Sequence, residues 1–528
     1  MADELTQVEK DKRVIGFEAD FRDIARRDPA TIAPNERAMF KWSGVYGQRQ
    51  EGFFMIRLKV PGGLITAIQL TRAAELAAAY GRDQLCLTTR QCLQLHWVKQ
   101  EDIYKVLEGL HEVGVTTRNA CGDVTRNVVT CALAGVCPHE EGDTLRILQS
   151  IADDAELNNE QRNLPRKNKI SVAGCGRACG QTLINCQGWH PANKDGRRFW
   201  KYYAGGGLGA KPYMAKLIFE QVPEALVLDV TRATTELFRR RGNRQSRALA
   251  RIKVLVDAMG ARGFAEAVLE ILKERKIGGI EAIVVATEGP DIQESFLKGQ
   301  PVIPQKQAGL NVVRVRMARR DWTSDEARRF SHWAACYGDG RLVFTNRHGV
   351  LFRNVSDVKV PGLLEVLAQA GYSTEGLEHV PDMVSCVGTT LCNLAQTNAP
   401  AMYQALMKEL TADPVWWQSL GPIRINMNGC PNSCAQHAIA DIGLRGFRKR
   451  IGDVVEEGYS IYTGGSLAGA GRVAEHVADV MAPDVPAAVR KLLLKGTHYF
   501  CSDRSGCSGS RGSSCGGGDS SPTSTEPL

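Results

Sequence analysis

No run in this sequence is apolar for long enough to span a bilayer. The first residues, MADELTQVEKDKR, carry charge where a secretory leader carries an apolar stretch. Neither membrane insertion nor a membrane partner is expected, and cytoplasm is the expected compartment. The formal net charge is a modest +8 over 528 residues, and no nucleic-acid reader motif accompanies it, which argues against a nucleic-acid partner. No flavin or nicotinamide motif stands out, so a redox enzyme built on this chain takes its electrons from outside. The ten histidines form no separate site. His139 and His437 lie near cysteine motifs and are read as structural.

Cysteine is what the chain has in abundance. Sixteen cysteines in a reducing compartment point to metal binding or catalysis rather than disulfides. A hydrophobic content of 43% and a charged content of 23% are those of a globular protein, and the length implies three or four domains. Charge is concentrated in one place: Arg239, Arg240, Arg241, Arg244, Arg247, Arg251 and Lys253 lie within fifteen residues. This is either a solvated face or a site for an anionic cofactor or acidic partner.

The chain is duplicated. Residues 81–114, GRDQLCLTTRQCLQLHWVKQEDIYKVLEGLHEVG, align without gaps on 338–371 at an offset of 257, with nine of thirty-four positions identical. Thr88/Thr345 and Arg90/Arg347 are among them. Both copies read strand, turn, strand, helix. The cysteines repeat at an offset of 255: Cys131 and Cys137 (C-x5-C) with Cys386 and Cys392, and Cys175 and Cys179 (C-x3-C) with Cys430 and Cys434. Each half is therefore a small α+β module followed by a cysteine-bearing module. The end, SDRSGCSGSRGSSCGGGDSSPTSTEPL, is too rich in Gly and Ser to bury a core.

Four thiolates suit zinc or an iron–sulfur cluster. Structural zinc uses short pairs, and the C-x5-C loop, long gap and C-x3-C favour a cluster. Pro431 after Cys430 suggests a helix start, with Cys430 at the cap and Cys434 one turn on, its free N–H groups aimed at an anionic cluster.

NGCPNSC after an upstream C-x5-C resembles the cluster motif of the sirohaem-containing sulfite and nitrite reductases. GVYGQRQEGFFMIRLKVPGG (44–63), LTTRQCLQLHW, GDVTRNV (122–128) and NLPRKNK (163–169) resemble that family in the same order. The resemblance covers most of the chain. It implies an α+β, pseudo-twofold duplicated chain of ferredoxin-like half-modules (41–118 and 301–378) and two sirohaem-type α/β modules (119–300 with the first cysteine set, 379–500 with the [4Fe–4S] site). A 1–40 extension and a flexible 501–528 tail flank them. It further implies that Cys386, Cys392, Cys430 and Cys434 bind a [4Fe–4S] cluster, with Cys434 bridging to the sirohaem iron. Arg90, Arg126, Lys167 and Lys169 would surround a small oxyanion, attract it and relay protons. Arg247 and Arg251, in SRALARIK, would bind the macrocycle's carboxylates, and Gln48, Arg49 and Asn432 belong to the cofactor-binding set. Ferredoxin, or another electron-donor protein, is the implied partner.

The Lys167–Lys169 pair resembles the sulfite branch, whereas LAGVCPHE (133–140) and ADIGLRG (440–446) resemble the nitrite branch. Sulfite reduction to sulfide is the favoured expectation, with nitrite reduction to ammonia as its alternative. A departure from the single-chain pattern is the complete first-half set. The expectation there is a second [4Fe–4S] cluster, with or without a second sirohaem, or else four reduced, empty cysteines. In the matching pocket Arg347 stands for Arg90 and Arg424 for Lys169, but Pro381 replaces Arg126 and Pro422 replaces Lys167, so poor catalysis is expected. Cys501, Cys507 and Cys515 are exposed thiols, or serve metal delivery, redox sensing or sulfur capture. Cys86, Cys92, Cys121, Cys186 and Cys336 are read as core or pocket-lining residues. The rivals are an iron–sulfur electron carrier without sirohaem and a sirohaem-bound sensor.

Overall fold

A computed structural model describes residues 5–194, 196–297, 299–317 and 320–495. Cys501, Cys507 and Cys515 lie outside the described residues. No helix among the described residues is long and apolar enough to cross a membrane.

The repeated segments form the elements their patterns predict. LCL and LQLHWVK make the strands Leu85–Leu87 and Leu93–Lys99, followed by the helix Ile103–His111; the second copy makes Arg341–Phe344, Val350–Ser356 and Val360–Gln369. Each copy builds a five-stranded antiparallel sheet. The edge strands are exchanged, however. Asp321–Trp322 from the second half pairs with Leu85–Leu87, and Leu64–Thr66 from the first half pairs with Arg341–Phe344. One continuous core follows, holding Ile56, Leu93 and Leu95 with Val313, Phe344 and Phe352. Neither half-module closes its sheet alone.

The helices Ala67–Tyr80 and Ser324–Tyr337 follow the exchanged strands and pack against each other. Both begin with a capping box. Thr66 Oγ1 accepts from Gln69 N at 3.2 Å while Gln69 Oε1 accepts from Thr66 N at 3.1 Å. Thr323 and Glu326 repeat this at 3.2 and 2.8 Å. Each box satisfies two otherwise unpaired groups. Thr66→Ala and Thr323→Ala are each expected to cost about 1 kcal/mol, read as a lower urea midpoint.

The cysteine-bearing modules are also copies. In the first, Val129–Thr130, Ile170–Val172 and Gln187–Lys194 run parallel, and antiparallel strands extend the sheet. In the second, Val384–Ser385, Ile425–Asn428 and Ile442–Ile451 do the same. Each has its own apolar core, around Trp189, Tyr202 and Phe238 in one and Leu406, Ile425 and Tyr459 in the other. The modules meet at a reciprocal amide pair. Gln181 Nε2 donates to Gln436 Oε1 at 3.0 Å, and Gln436 Nε2 donates back to Gln181 Oε1 at 2.7 Å. The two glutamines are 255 residues apart and both adopt positive φ, 53° and 63°, so the pair marks the pseudo-twofold axis.

Candidate active site

Cys386 follows the strand Val384–Ser385, and Cys430 lies just beyond its parallel neighbour Ile425–Asn428. Both therefore leave the carboxyl ends of adjacent parallel strands, where open sheets place ligand sites. Backbone N–H groups turn inward onto the sulfurs: Gly429 and Gly388 donate to Cys386 Sγ at 3.1 and 3.4 Å, and Leu394 to Cys392 Sγ at 3.4 Å. Asn432 Nδ2 donates to Cys430 Sγ at 3.6 Å. Burial pushes the Cys386 thiol up to about 12, with Cys434 adding to the rise. Thiols this close to one another need a compensating cation to ionise together.

The expected helix after Cys430 does not form. The loop turns through Ser433 (φ 55°) and Gln436 (φ 63°) into the short turn His437–Ile439 and then the strand Ile442–Ile451. Two left-handed residues cannot continue a helix. They return the chain to the parallel strand instead, so the anion-facing N–H groups come from loops.

Four thiolates around one zinc at ~2.3 Å would sit within ~4 Å of one another. Among the described residues no three His, Cys, Asp or Glu side chains gather tightly enough to hold a single metal ion. Cys386 and Cys430 are buried and Cys392 half-buried, whereas Cys434 is exposed. Thr89 Oγ1 donates to the Cys434 carbonyl at 2.7 Å, tying the Arg90 turn to the cysteine loop.

Arg90, Arg126, Lys167 and Lys169 come together beside Cys434. Arg90 donates to Asn185 Oδ1 at 2.5 Å and to the Asn127 carbonyl at 2.6 Å. Arg126 donates to the carbonyls of Gly122 and Ala120 at 2.8 and 3.2 Å. These acceptors are neutral, so the guanidinium charges are held in place without being cancelled. Burial, then Arg251, Arg126 and Arg166, lower Lys167 to about 7, against an opposing pull from Cys434. Burial and the neighbouring Arg90, Lys167 and Arg251 hold Lys169 well below the lysine range. Cations gathered this closely repel one another, and a bound anion would offset that repulsion.

The other expected residues divide. Arg251 reaches the same pocket: its Nη2 donates to Cys186 Sγ at 3.3 Å, and its buried Nε has no partner. Gly207 lies against it, and a side chain there would meet Arg251 Nη2 at 2.8 Å. Arg247 departs from expectation. Its two Nη atoms grip Asp123 at 2.7 and 3.0 Å, so it braces the wall and offers no free guanidinium to a cofactor. Burial pushes the Asp123 carboxyl up, but Arg247, Lys12 and Arg166 outweigh it and hold it below the usual range. Arg239, Arg240 and Arg244 are likewise paired, with Glu236, Glu274 and Glu9. Most of the arginine-rich segment thus meets acidic partners within the chain. Arg49 meets the loop that carries Cys392, its N donating to the Leu391 carbonyl at 3.0 Å, whereas Gln48 turns to the neighbouring strand, its Oε1 accepting from Trp97 N at 3.1 Å.

Arg57 was not anticipated. Its Nη1 donates to Cys121 Sγ at 3.2 Å, and Cys92, Tyr46 and Cys434 lie in its field. A sequence signal existed: Arg314 repeats it at the offset of 257, outside the aligned window.

Two family profiles match. "Nitrite and sulphite reductase 4Fe-4S domain" covers residues 121–276 and 378–495, and "Nitrite/Sulfite reductase ferredoxin-like half domain" covers 46–113 and 303–370. The chain belongs to the sirohaem- and [4Fe–4S]-containing nitrite and sulfite reductase family. Its relatives include the ferredoxin–nitrite reductase of Synechococcus elongatus, 31% identical over 468 residues, 86% of this chain and 88% of that one. Sulfite reductase [ferredoxin] 1 of Mycolicibacterium paratuberculosis is 30% identical over 457 residues, 82% and 80% of the two chains. The NirA protein of Mycobacterium tuberculosis shares the fold, with a TM-score of 0.84 at 24% identity over 95% of both chains. This protein is thus an oxidoreductase acting on sulfite or nitrite. The residues present fit the family's groups: four convergent thiols with inward N–H donors, an exposed fourth thiol, uncancelled cations and the unpartnered Arg251 Nε.

Proposed function

We propose that this nitrite and sulfite reductase family member reduces sulfite to sulfide: HSO₃⁻ + 6 e⁻ + 6 H⁺ → HS⁻ + 3 H₂O, with a ferredoxin-type protein as donor. The observation that carries this is the quartet Arg90, Arg126, Lys167 and Lys169, gathered with neutral hydrogen-bond partners for its arginines. Sulfite is partly a dianion at neutral pH and nitrite a monoanion, so the fixed, uncancelled charges of Arg90 and Arg126, with lysines that a bound anion would draw toward protonation, favour sulfite. The resemblance of the Lys167–Lys169 pair to the sulfite branch supports the same choice. Bound sirohaem and its cluster supply electrons one at a time and a metal on which the anion is reduced. Cys386, Cys392, Cys430 and Cys434 would hold the cluster, and Arg251 would meet the macrocycle's carboxylates. Arg90 and Arg126 fix the oxyanion. Lys167 and Lys169, with protons easily given up, donate to the oxygens as they leave as water.

Nitrite reduction to ammonia is the second reading, favoured by the likeness to the Synechococcus enzyme. The test is steady-state kcat/KM for each anion with reduced ferredoxin and with reduced viologen. A sulfite value above the nitrite value supports the proposal, and the reverse order overturns it.

A pH limb follows. Lys167 is cationic below about 7 and neutral above it. Nitrite keeps one charge across this range, so its KM is expected to rise as pH increases through about 7. Lys167→Arg should remove the limb, and a limb persisting in that variant assigns it to another group.

A further inference from the structure

Cys131, Cys137, Cys175 and Cys179 are placed by the first α/β module as their counterparts are by the second. Cys131 directly follows the strand Val129–Thr130, and Cys175 follows its parallel neighbour Ile170–Val172. Leu133 N donates to Cys131 Sγ at 3.4 Å, matching Gly388 N on Cys386 Sγ at 3.4 Å, 255 residues later. Cys131 and Cys179 lie close enough to act on each other electrostatically, and Cys137 feels Cys175 and Cys179. Cys131, Cys137 and Cys175 are buried, Cys179 is half-buried, and all four are free thiols. Like the second-half set, they are not gathered for a single metal ion. Single buried cysteines act as small hydrophobes, and Cys131 and Cys137 do pack in an apolar cluster, but four free thiols at the strand ends that match the second-half set form a ligand array.

The surroundings of the two sets differ. Cys434 is exposed, whereas Cys179 is covered: Ser295 Oγ lies 3.2 Å from its sulfur. The segment carrying Ser295 is strapped across the cysteine loop. Ala178 N donates to the Gln293 carbonyl and Gln293 N to the Gly176 carbonyl, both at 2.9 Å, and Phe296 packs edge-on against His139 with centroids 4.6 Å apart. Beyond the strap lies a cavity of about 320 Å³, bordered by Cys179, Arg314, Arg347 and Arg424. It is the pseudo-twofold mate of the cationic pocket, but three of its four arginines are paired with carboxylates; the fourth, Arg472, donates its Nε to the neutral Gly464 carbonyl at 2.6 Å. Arg347 pairs with Asp382 at 3.3 Å, Arg424 with Asp441 at 3.1 Å and Arg314 with Glu378 at 2.8 Å. At the positions matching Asp382 and Asp441, the working pocket has Asn127 and Cys186. A macrocycle edged with carboxylates finds no free cation among these three arginines.

We propose that Cys131, Cys137, Cys175 and Cys179 hold a second [4Fe–4S] cluster and that the neighbouring cavity takes no sirohaem. The proposal uses the family reading only for its internal reference, the second-half site. Full-length protein is purified anaerobically, and iron, acid-labile sulfide and sirohaem are quantified per chain. The wild type is expected to hold one sirohaem and about eight cluster irons. The double variant Cys175→Ser/Cys179→Ser should lose about four irons and keep its sirohaem, whereas Cys430→Ser/Cys434→Ser should lose a similar amount of iron together with sirohaem. Unchanged iron in the first variant overturns the cluster, and two sirohaems per wild-type chain overturn the bare cavity. Should the first variant not fold, a Mössbauer spectrum of the wild type decides. Cluster iron exceeds sirohaem iron by about eight to one with two clusters and about four to one with one; the lower ratio overturns the proposal. Absence of sirohaem from every protein would sink the reductase reading, while the iron difference between wild type and first variant would still test the second cluster.

Discussion

The Cys434→Ser variant is expected to lose turnover of both sulfite and nitrite to below detection, together with about four irons per chain and bound sirohaem. Cys434 is the exposed member of its set, so this loss does not come from a packing defect. Serine nearly preserves the volume but has an alkoxide far too basic to form at neutral pH, and soft iron–sulfur chemistry selects thiolate. The Thr89 bond goes to the Cys434 backbone carbonyl and survives the change. Circular dichroism and the thermal midpoint of the cofactor-free chain should therefore be close to those of cofactor-free wild type. Iron content and the visible spectrum are the decisive measurements: full iron and an unaltered sirohaem band in Cys434→Ser would remove this residue from the cofactor site.

Lys169→Ala is expected to lower kcat for sulfite by about 10²- to 10³-fold, the usual effect of deleting one preorganised donor to a developing charge, while sirohaem content stays at the wild-type level. Lys169 belongs to the group with Arg90, Lys167 and Arg251 whose charges act on one another. Its side chain is largely enclosed, so the truncation also leaves a cavity, and the thermal midpoint is expected to fall modestly. Arg424→Ala, the matching change in the mate cavity, should leave kcat/KM within about twofold, since its charge is already held by Asp441 at 3.1 Å. A larger loss in Arg424→Ala than in Lys169→Ala would mean that the working pocket is the other cavity.

Much of the fold was readable because it rests on local patterns and a repeat. The 257-residue offset located two strand–turn–strand–helix units, and the 255-residue offset located two cysteine sets. Both rest on positions along one chain, and the structure places each set at the ends of matching parallel strands. The exchange of Leu64–Thr66 and Asp321–Trp322 between the sheets was not readable. Strands of three and two residues carry too little periodicity to name a partner hundreds of residues away.

The site divides along the same line. Arg90, Arg126, Lys167 and Lys169 were visible as residue types within motifs, and the prolines at 381 and 422 already showed that the mate pocket had lost two cations. Whether a given cation is free is a different matter. Arg247 is gripped by a carboxylate 124 residues away, and Arg347 and Arg424 are cancelled by Asp382 and Asp441. The turn after Cys430 likewise obeys the parallel strand it must rejoin rather than the proline at its start. The sequence by itself thus determined the duplication, the two thiol sets and the supply of positive charge, because these are carried by residue identity and spacing. Tertiary structure alone decided which charges remain uncancelled and which fourth thiol stays open, because an ion pair or a covering segment depends on which distant groups the fold brings within a few ångströms.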